Sequence, residues 1–548
     1  MTWTGDDALP TGALTEGDPS TAYDALGKAY LSTINASGRS YQTQTSTSPG
    51  IANSWSNPVQ GPLTGPDKFD KEMVAVDDMP ISRSNYSNYF YAAWTDFLDI
   101  SIRFNRSTDR GATYLPPVIL RPQGAAGSPT SFGQGANVQT GPNGEVYVCW
   151  SDYGNVDTSV PSNTQATNIG FAKSLDGGAT FAPFTRPIPC AGIRDTWGDN
   201  PLFNYTNVPG YPSMAVDKSC VNSGRIYVAF PAKENGTGKS VIQVVHSDLQ
   251  GAVGSWSAPL TVSLPSAQQS WLPWISVDPG TGEISLIYYA LDSPSGFSTN
   301  TYVAYSFDGG ASYTNFKVSD VPHTTAAIPG WLGGLDYIGI AARGGRAFPI
   351  WADDRNGTWQ LYAAPLKYYS VVGPTGICAS GATTRRYVLT GNGASANYQP
   401  LGSSIAWTTS PSGFFSPATG SNPDFTTAST GVAGVGTVTA TITMACGSSF
   451  TASVEVHANL ACRGVATTYP NPTDKGLTLG VAQDEPSATA ANERYTAQLY
   501  DQQGKLKCSL EWRGEQHQLD TSALPNGLYY LVMQGGRVNE RRAIVVQH

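Results

Sequence analysis

The chain is poor in charge. Asp, Glu, Lys and Arg make up 13% of its 548 residues, about half the usual ~25% of a soluble domain. The formal balance is −9, and no basic stripe exists to neutralise phosphates, which argues against a nucleic-acid partner. No run of 18 or more apolar residues occurs, so no transmembrane segment is expected. No long stretch carries helical periodicity, which points away from helical fold classes. Zinc has no Cys-x-x-Cys and no His/Cys cluster to bind. The seven Cys are an odd number. Cys190 with Cys220, and Cys378 with Cys446, could pair, but spacing leaves the connectivity open. The opening MTWTGDDALP lacks the basic-then-apolar pattern of an export signal, so such a signal is expected to have been removed from this sequence.

Glycine (59) and proline (38) are plentiful, as turn-rich β proteins require. One phrase recurs among the turns: STDRGATY at 107–114, SLDGGATF at 174–181 and SFDGGASY at 306–313. The pattern is S-x-D-x-G-x-[ST]-aromatic. Its Asp residues are Asp109, Asp176 and Asp308, with spacings of 67 and 132, the second close to twice 66. SDLQGAVGSW from 247 reads as a worn copy in the gap. An Asp carboxylate can hold a turn by accepting backbone N–H groups, and Gly supplies the positive φ. These roles are structural. The octets act as a ruler, because a fixed period signals a repeat architecture.

The octets resemble the Asp box, or BNR repeat, of the sialidase superfamily, in which each box joins the two outer strands of a propeller blade. A second pattern gives its own count. Strand-like runs reach equivalent turn positions at Asp24, Asp77, Gly141, Asp217, Asp278 and Ala341, with gaps of 53, 64, 76, 61 and 63. Six units in about 350 residues, each with room for four short strands, predict a six-bladed β-propeller over 1–370. The resemblance implies six blades too.

Beyond about 370 the period stops. Residues 371–460 hold some seven strand-sized runs, with Trp407 between two Cys. An immunoglobulin- or PKD-like β-sandwich is expected there, serving as a spacer. Residues 461–548 contain YPNP from Tyr469, Asp501 with Gly504–Lys505, Leu519–Asp520, Leu524–Pro525, Gly527–Tyr530 and Arg541–Arg542. In that order they resemble the C-terminal sorting domain of the type IX secretion system of Bacteroidetes. The resemblance implies the type IX machinery as a partner, export through the outer membrane, and an extracellular or cell-surface location.

If the boxes join third to fourth strands, the second-to-third and interblade loops share the opposite face, where sialidases place their active site. The phrases AAWTD, VCWSD and PIWAD put Asp96, Asp152 and Asp353 at equivalent positions as candidate catalytic carboxylates. Asp292 and Glu234 lie nearby in two other units. Interblade loops contribute Asp67, Asp70, Lys71 and Glu72, then Trp271 and Trp274, then Trp331, Asp336 and Tyr337. Tyr337 with Glu72 forms an alternative nucleophile–base pair. Asp70, Lys71, Trp271, Trp274, Trp331, Asp336 and Arg355 are candidate substrate-binding residues. Aromatic faces can stack on sugar rings, while carboxylates can bind hydroxyls, do acid–base work or hold a calcium ion. Plainer roles compete with these. W-x-D can end a strand, Arg355 can pair with Asp353 or Asp354, Lys71 and Glu72 can form an exposed pair, and Tyr337 can be core.

The resemblance to sialidases stops at their arginines. Three arginines hold the substrate carboxylate in that family, the first in an [FY]-R-I-P phrase. This chain has no such phrase, and FPI at 348–350 lacks the Arg. The expectation is a secreted propeller that acts on or recognises a glycan or polysaccharide. A non-catalytic glycan- or protein-binding surface protein and a structural surface or fibre subunit are the alternatives.

Overall fold

The octets fold as their residue types dictate. In a computed structural model of the chain, Ser107 Oγ donates to Asp109 Oδ1 at 2.7 Å and accepts from the Gly111 amide at 2.8 Å. Asp109 then accepts from the Thr113 amide at 2.8 Å and from Thr113 Oγ1 at 2.6 Å. The same four bonds recur at Ser174–Asp176–Gly178–Thr180 and at Ser306–Asp308–Gly310–Ser312. The worn copy keeps only the serine half. The Gly251 amide donates to Ser247 Oγ at 3.1 Å, while Leu249 stands where an Asp would be and Ser255 Oγ lies 2.6 Å from Ser247 Oγ. Ser247 also bridges Trp256, and Ser46 bridges Trp55 at the same nine-residue spacing.

The structure describes residues 15–46, 55–63, 69–125, 131–154, 166–193, 199–200, 205–206, 210–292, 298–324, 337–378, 384–391, 400, 402–411, 424–428, 434–459, 465–469, 473, 475–482, 494–501, 504–514, 516–535 and 538–546. They form an all-β protein, with no helix among them. The chain divides into two compact units: residues 1–313, 321–342 and 348–364, and residues 314–320, 343–347 and 365–548.

Between residues 15 and 363, antiparallel meander sheets follow one another in chain order. Sheet one runs Thr15–Tyr23, Ala29–Asn35, Tyr41–Thr45 and Val59–Gln60. Sheet two runs Phe69–Val76, Phe90–Asp96, Ser101–Ser107 and Val118–Arg121. Sheet three runs Phe132–Thr140, Val146–Tyr153, Asn168–Ser174 and Thr185–Pro189. Sheet four runs Ser213–Val216, Ile226–Lys233, Ser240–Ser247 and Leu260–Thr261. Sheet five begins Gln269–Val277, Ile284–Leu291 and Ser298–Ser306, and sheet six begins Gly339–Ala342, Arg346–Asp353 and Gln360–Ala363.

The first strand of each sheet lies beside the first strand of the next. Seryl oxygens tie some of these neighbours: Ser20 accepts from the Val74 amide and Ser213 from the Ile275 amide, both at 3.1 Å. The second strands of sheets two to five are buried on both faces, because these sheets are covered on both sides, whereas Arg346–Asp353 of sheet six alternates and leaves Ile350 exposed. VYVCWSDY (146–153) and ISLIYYAL (284–291) are buried throughout. The cores accordingly span sheet pairs: Tyr91 and Phe104 of sheet two pack with Val148 and Trp150 of sheet three, and Ile242 of sheet four packs with Leu286 of sheet five. This face-to-face packing of consecutive meanders is β-propeller construction.

A second device joins the sheets. The fourth residue of each described turn takes a left-handed φ: Arg110 (61°), Gly177 (64°), Gln250 (52°) and Gly309 (70°). Each turns its carbonyl oxygen toward the preceding sheet, where a cation binds it. The donors are Lys28 to Arg110 at 3.2 Å, Arg106 to Gly177 at 2.6 Å, Lys173 to Gln250 at 3.4 Å and Arg225 to Gly309 at 2.8 Å.

The second unit contains two successive pairs of sheets, each of three and four strands. In the earlier pair, GVGTVTATITM (434–444) alternates strictly between buried and half-buried positions from Gly436 onward, as a strand with one face on the core must. In the later pair, Leu477, Leu479, Tyr495, Trp512, Leu531 and Ile544 form the core. Motif residues there make turns. Asp501 Oδ1 accepts from the Lys505 amide at 2.8 Å, and the Tyr529 hydroxyl donates to the Pro525 carbonyl at 2.8 Å. Cys190 carries a free thiol whereas Cys220 is disulfide-bonded, so the Cys190–Cys220 pairing does not form. Cys446 is also disulfide-bonded.

Candidate functional site

The three W-x-D carboxylates are deeply buried, and each is engaged by arginine. Asp152 is fully buried, with Arg121 Nε 2.8 Å from Oδ2 and Arg186 Nε 2.9 Å from Oδ1. The Trp150 indole N–H also donates to Asp152 Oδ2 at 3.1 Å. Asp353 repeats the arrangement: Arg355 donates from Nε to Oδ1 at 2.8 Å and from Nη2 to Oδ2 at 2.6 Å, and Trp351 donates to Oδ2 at 3.0 Å. Burial works against the charged form of Asp353, but the bonds from Arg355 and Trp351 outweigh it and hold this carboxyl below its ordinary range. At Asp96 the balance reverses. Arg103 Nε stands 3.0 Å from Oδ2, as an ion pair without an aligned hydrogen bond, and the Leu98 amide donates to Oδ1. Burial prevails there and lifts the Asp96 carboxyl. Asp292 accepts from Asn300 and Tyr302, and Glu234 from Thr237.

A different set of residues gathers where the first strands meet. Four of these strands carry a β-bulge, at Gly17–Ser20, at Asp70–Met73, opposite Cys149–Ser151, and at Trp271–Trp274. Each bulge holds a left-handed residue: Asp18 (53°), Lys71 (55°), Gly135 (69°) and Leu272 (53°). Non-glycine residues seldom adopt this conformation, and bulges are found where a side chain must be re-aimed. At Gly135 a side chain is also excluded by space, since a Cβ there would stand 2.1 Å from the Tyr211 ring.

The bulges frame a small pit lined by Lys71, Met73, Asn137, Tyr211, Trp274 and Tyr337, among others, with a volume of about 30 Å³. Lys71 Nζ is 3.6 Å from Asp18 Oδ2 and 4.9 Å from the centre of the Tyr337 ring. The Lys71 amide also donates to Asp18 Oδ2 at 3.3 Å. Asn137 is 2% exposed, and its Oδ1 has no hydrogen-bond partner among the described residues.

Glu72 is fully buried, and neither of its oxygens has a hydrogen-bond partner among the described residues. Burial, then the Asp18 charge, pushes its carboxyl well above the ordinary range. It does not line the pit, and its charge is felt at Tyr41. Lys71 and Glu72 are therefore not an exposed pair: both are buried, and Lys71 pairs with Asp18. Trp271 is buried against Tyr289, with ring centres 5.8 Å apart, while Trp274 lines the pit. Asp70 is half-buried opposite Thr95. Arg355 lies over the Tyr362 ring at 3.9 Å as well as pairing with Asp353. Asp67, Trp331 and Asp336 lie outside the described residues.

Asp18, Asn137 and Tyr211 were not singled out from the sequence, although a signal was present for Asn137. Aligning the first strands on their terminal turns puts Ser20, Met73, Asn137, Ser213, Trp274 and Tyr337 in one column. Among the described residues no three His, Cys, Asp or Glu side chains are grouped to hold a metal ion.

No curated protein sequence matches the chain. Among solved structures it is similar to the Hadza microbial sialidase Hz136, at 12% identity and a TM-score of 0.38, over 65% of this chain and 66% of that one. The chain thus spans slightly under two thirds of that sialidase's length. It is also similar to the Penicillium chrysogenum α-L-arabinanase complexed with arabinobiose, at 12% identity and a TM-score of 0.40, over 66% of this chain and 95% of that one. The GH93 α-L-arabinofuranosidase of Fusarium graminearum gives 12% identity and a TM-score of 0.40, over 64% and 92%. Residues 467–547 match the family model described as the secretion system C-terminal sorting domain, and this segment of the chain is a domain of that family.

Proposed function

We propose that the chain is a secreted or cell-surface protein that recognises glycans through the pit between its first strands. The observation that carries this reading is the pit's lining. Trp274, Tyr211 and Tyr337 offer aromatic faces for a sugar ring, and Asn137 adds an uncharged polar side chain to the lining. Lys71 and Asp70 belong to the binding surface beside them. Asp96, Asp152 and Asp353 anchor the ends of second strands as partners of Arg103, Arg121, Arg186 and Arg355. Hydrolysis by two carboxylates needs an acid and a base free to face the glycosidic bond. These three face guanidinium groups, which supports recognition over hydrolysis and leaves calcium no part in the reading. The sorting domain is the handle for the type IX secretion machinery.

The test is a glycan array with the full-length chain, followed by product analysis of every glycan bound. Binding that Trp274→Ala abolishes, with the circular dichroism spectrum retained, is the expected result. Release of sugar from a bound glycan would replace recognition by hydrolysis, and an absence of binding would overturn both. Deletion of residues 467–548 should leave the protein inside the cell.

A further inference from the structure

The one charged side chain among the pit's described lining residues is already paired. Lys71 is the single cation among its described lining residues, and Asp18 stands 3.6 Å from it. The ammonium also caps the Tyr337 ring, so its field is spent on groups already in place. No arginine is among the described lining residues. On neighbouring strand ends, Arg103, Arg121, Arg186 and Arg355 each face a carboxylate. A ligand carboxylate entering here would be a buried charge without a counter-charge, which is strongly unfavourable.

Asn137, Tyr211 and Tyr337 line the pit with polar groups that carry no charge, so none of them supplies a counter-charge to a ligand carboxylate.

Resting on the glycan-recognition reading, we propose that the pit takes a neutral, hydroxyl-bearing sugar unit and that the Asp18–Lys71 ion pair excludes acidic sugars. Asp18 is the specificity-determining residue. It cancels the one cation that would welcome a carboxylate, which is discrimination by an unfavourable term for the wrong ligand.

The experiment is calorimetry on the full-length chain at low salt. Matched oligosaccharides differ by a carboxylate: galacto- against galacturono-oligomers, and lactose against 3′-sialyllactose. The neutral member of a bound pair should bind at least ~10-fold more tightly. Asp18→Asn keeps an acceptor for the Lys71 amide while exposing the ammonium charge, and should narrow that preference by ~10-fold. Lys71→Met leaves the Asp18 carboxylate without its counter-charge and should widen the preference for the neutral member. Equal or tighter binding of the acidic member by the unaltered chain overturns the inference while leaving glycan recognition standing. Failure of every pair to bind overturns both. A folded Asp18→Asn variant with unchanged preference overturns the role given to Asp18. Should that variant not fold, the preferences of the unaltered chain and of Lys71→Met decide.

Discussion

Arg106 Nη1 donates to the carbonyl oxygen of Gly177 at 2.6 Å, joining a third strand of one sheet to the outer turn of the next. The bond is one of four built to a single plan, with Lys28, Lys173 and Arg225 as the other donors. The Asp and Ser side chains close the turn, its left-handed fourth residue presents the oxygen, and the neighbouring sheet supplies the cation. The recurrent octet is thus a staple within one sheet and a socket for the sheet before it.

Arg106→Ala should destabilise the first unit by about 1–2 kcal/mol, toward the lower end for a hydrogen bond from a charged group because Arg106 is only half-buried. Arg106→Lys should recover part of the loss, since Lys173 fills this third-strand place in the next sheet. Denaturant midpoints of the three proteins check this.

Asp176 is held down to about 2; burial opposes the shift, but bonds from Thr180 and Ser174 outweigh it. A depressed carboxyl contributes stability that is present above its unfolded value of about 4 and is lost as pH falls through the folded one. The melting temperature should therefore fall between about pH 4 and pH 2, and Asp176→Asn should flatten that part of the curve. Equal slopes for both proteins would remove Asp176 from the acid transition.

Asp152→Asn leaves Arg121, itself fully buried, without its counter-charge. Breaking a buried pair from one side costs about 3–5 kcal/mol. The variant should lose that much stability while glycan affinity at temperatures below its melt stays unchanged. A stable variant with altered affinity would return Asp152 to the site.

Glu72 has the opposite sign. Its folded carboxyl is raised, so stability falls as pH climbs above the unfolded value of about 4.5 toward the folded one. Glu72→Gln keeps the shape and removes the titration. It should melt close to the unaltered chain at pH 4 and higher than it at pH 8, as paired calorimetric scans will read.

The sheets and turns were legible in the sequence because their causes are local. Ser, Asp, Gly and Thr within seven residues close each octet, and alternating apolar runs write the strands. The face on which the second-to-third loops emerge followed from strand alternation, which is why Asp96, Asp152 and Asp353 fell on equivalent strand ends. Their arginine partners were less legible. Arg121 lies 31 residues from Asp152 and at the end of the preceding sheet, so spacing gives no hint that the carboxylate is taken.

By itself the sequence determined a period, the all-β class, the chemistry of the outer turns and a C-terminal segment that carries a sorting domain. The tertiary structure decided which charges cancel and which polar atoms remain unpaired. Lys71 meets Asp18 across 53 residues and Tyr337 across 266, and Asn137 reaches the same pit from a third sheet. Local bonds depend on neighbours in the chain and can be read from it. A pit formed where several strands converge depends on bulges that re-aim side chains, and those partners are set only when the sheets pack.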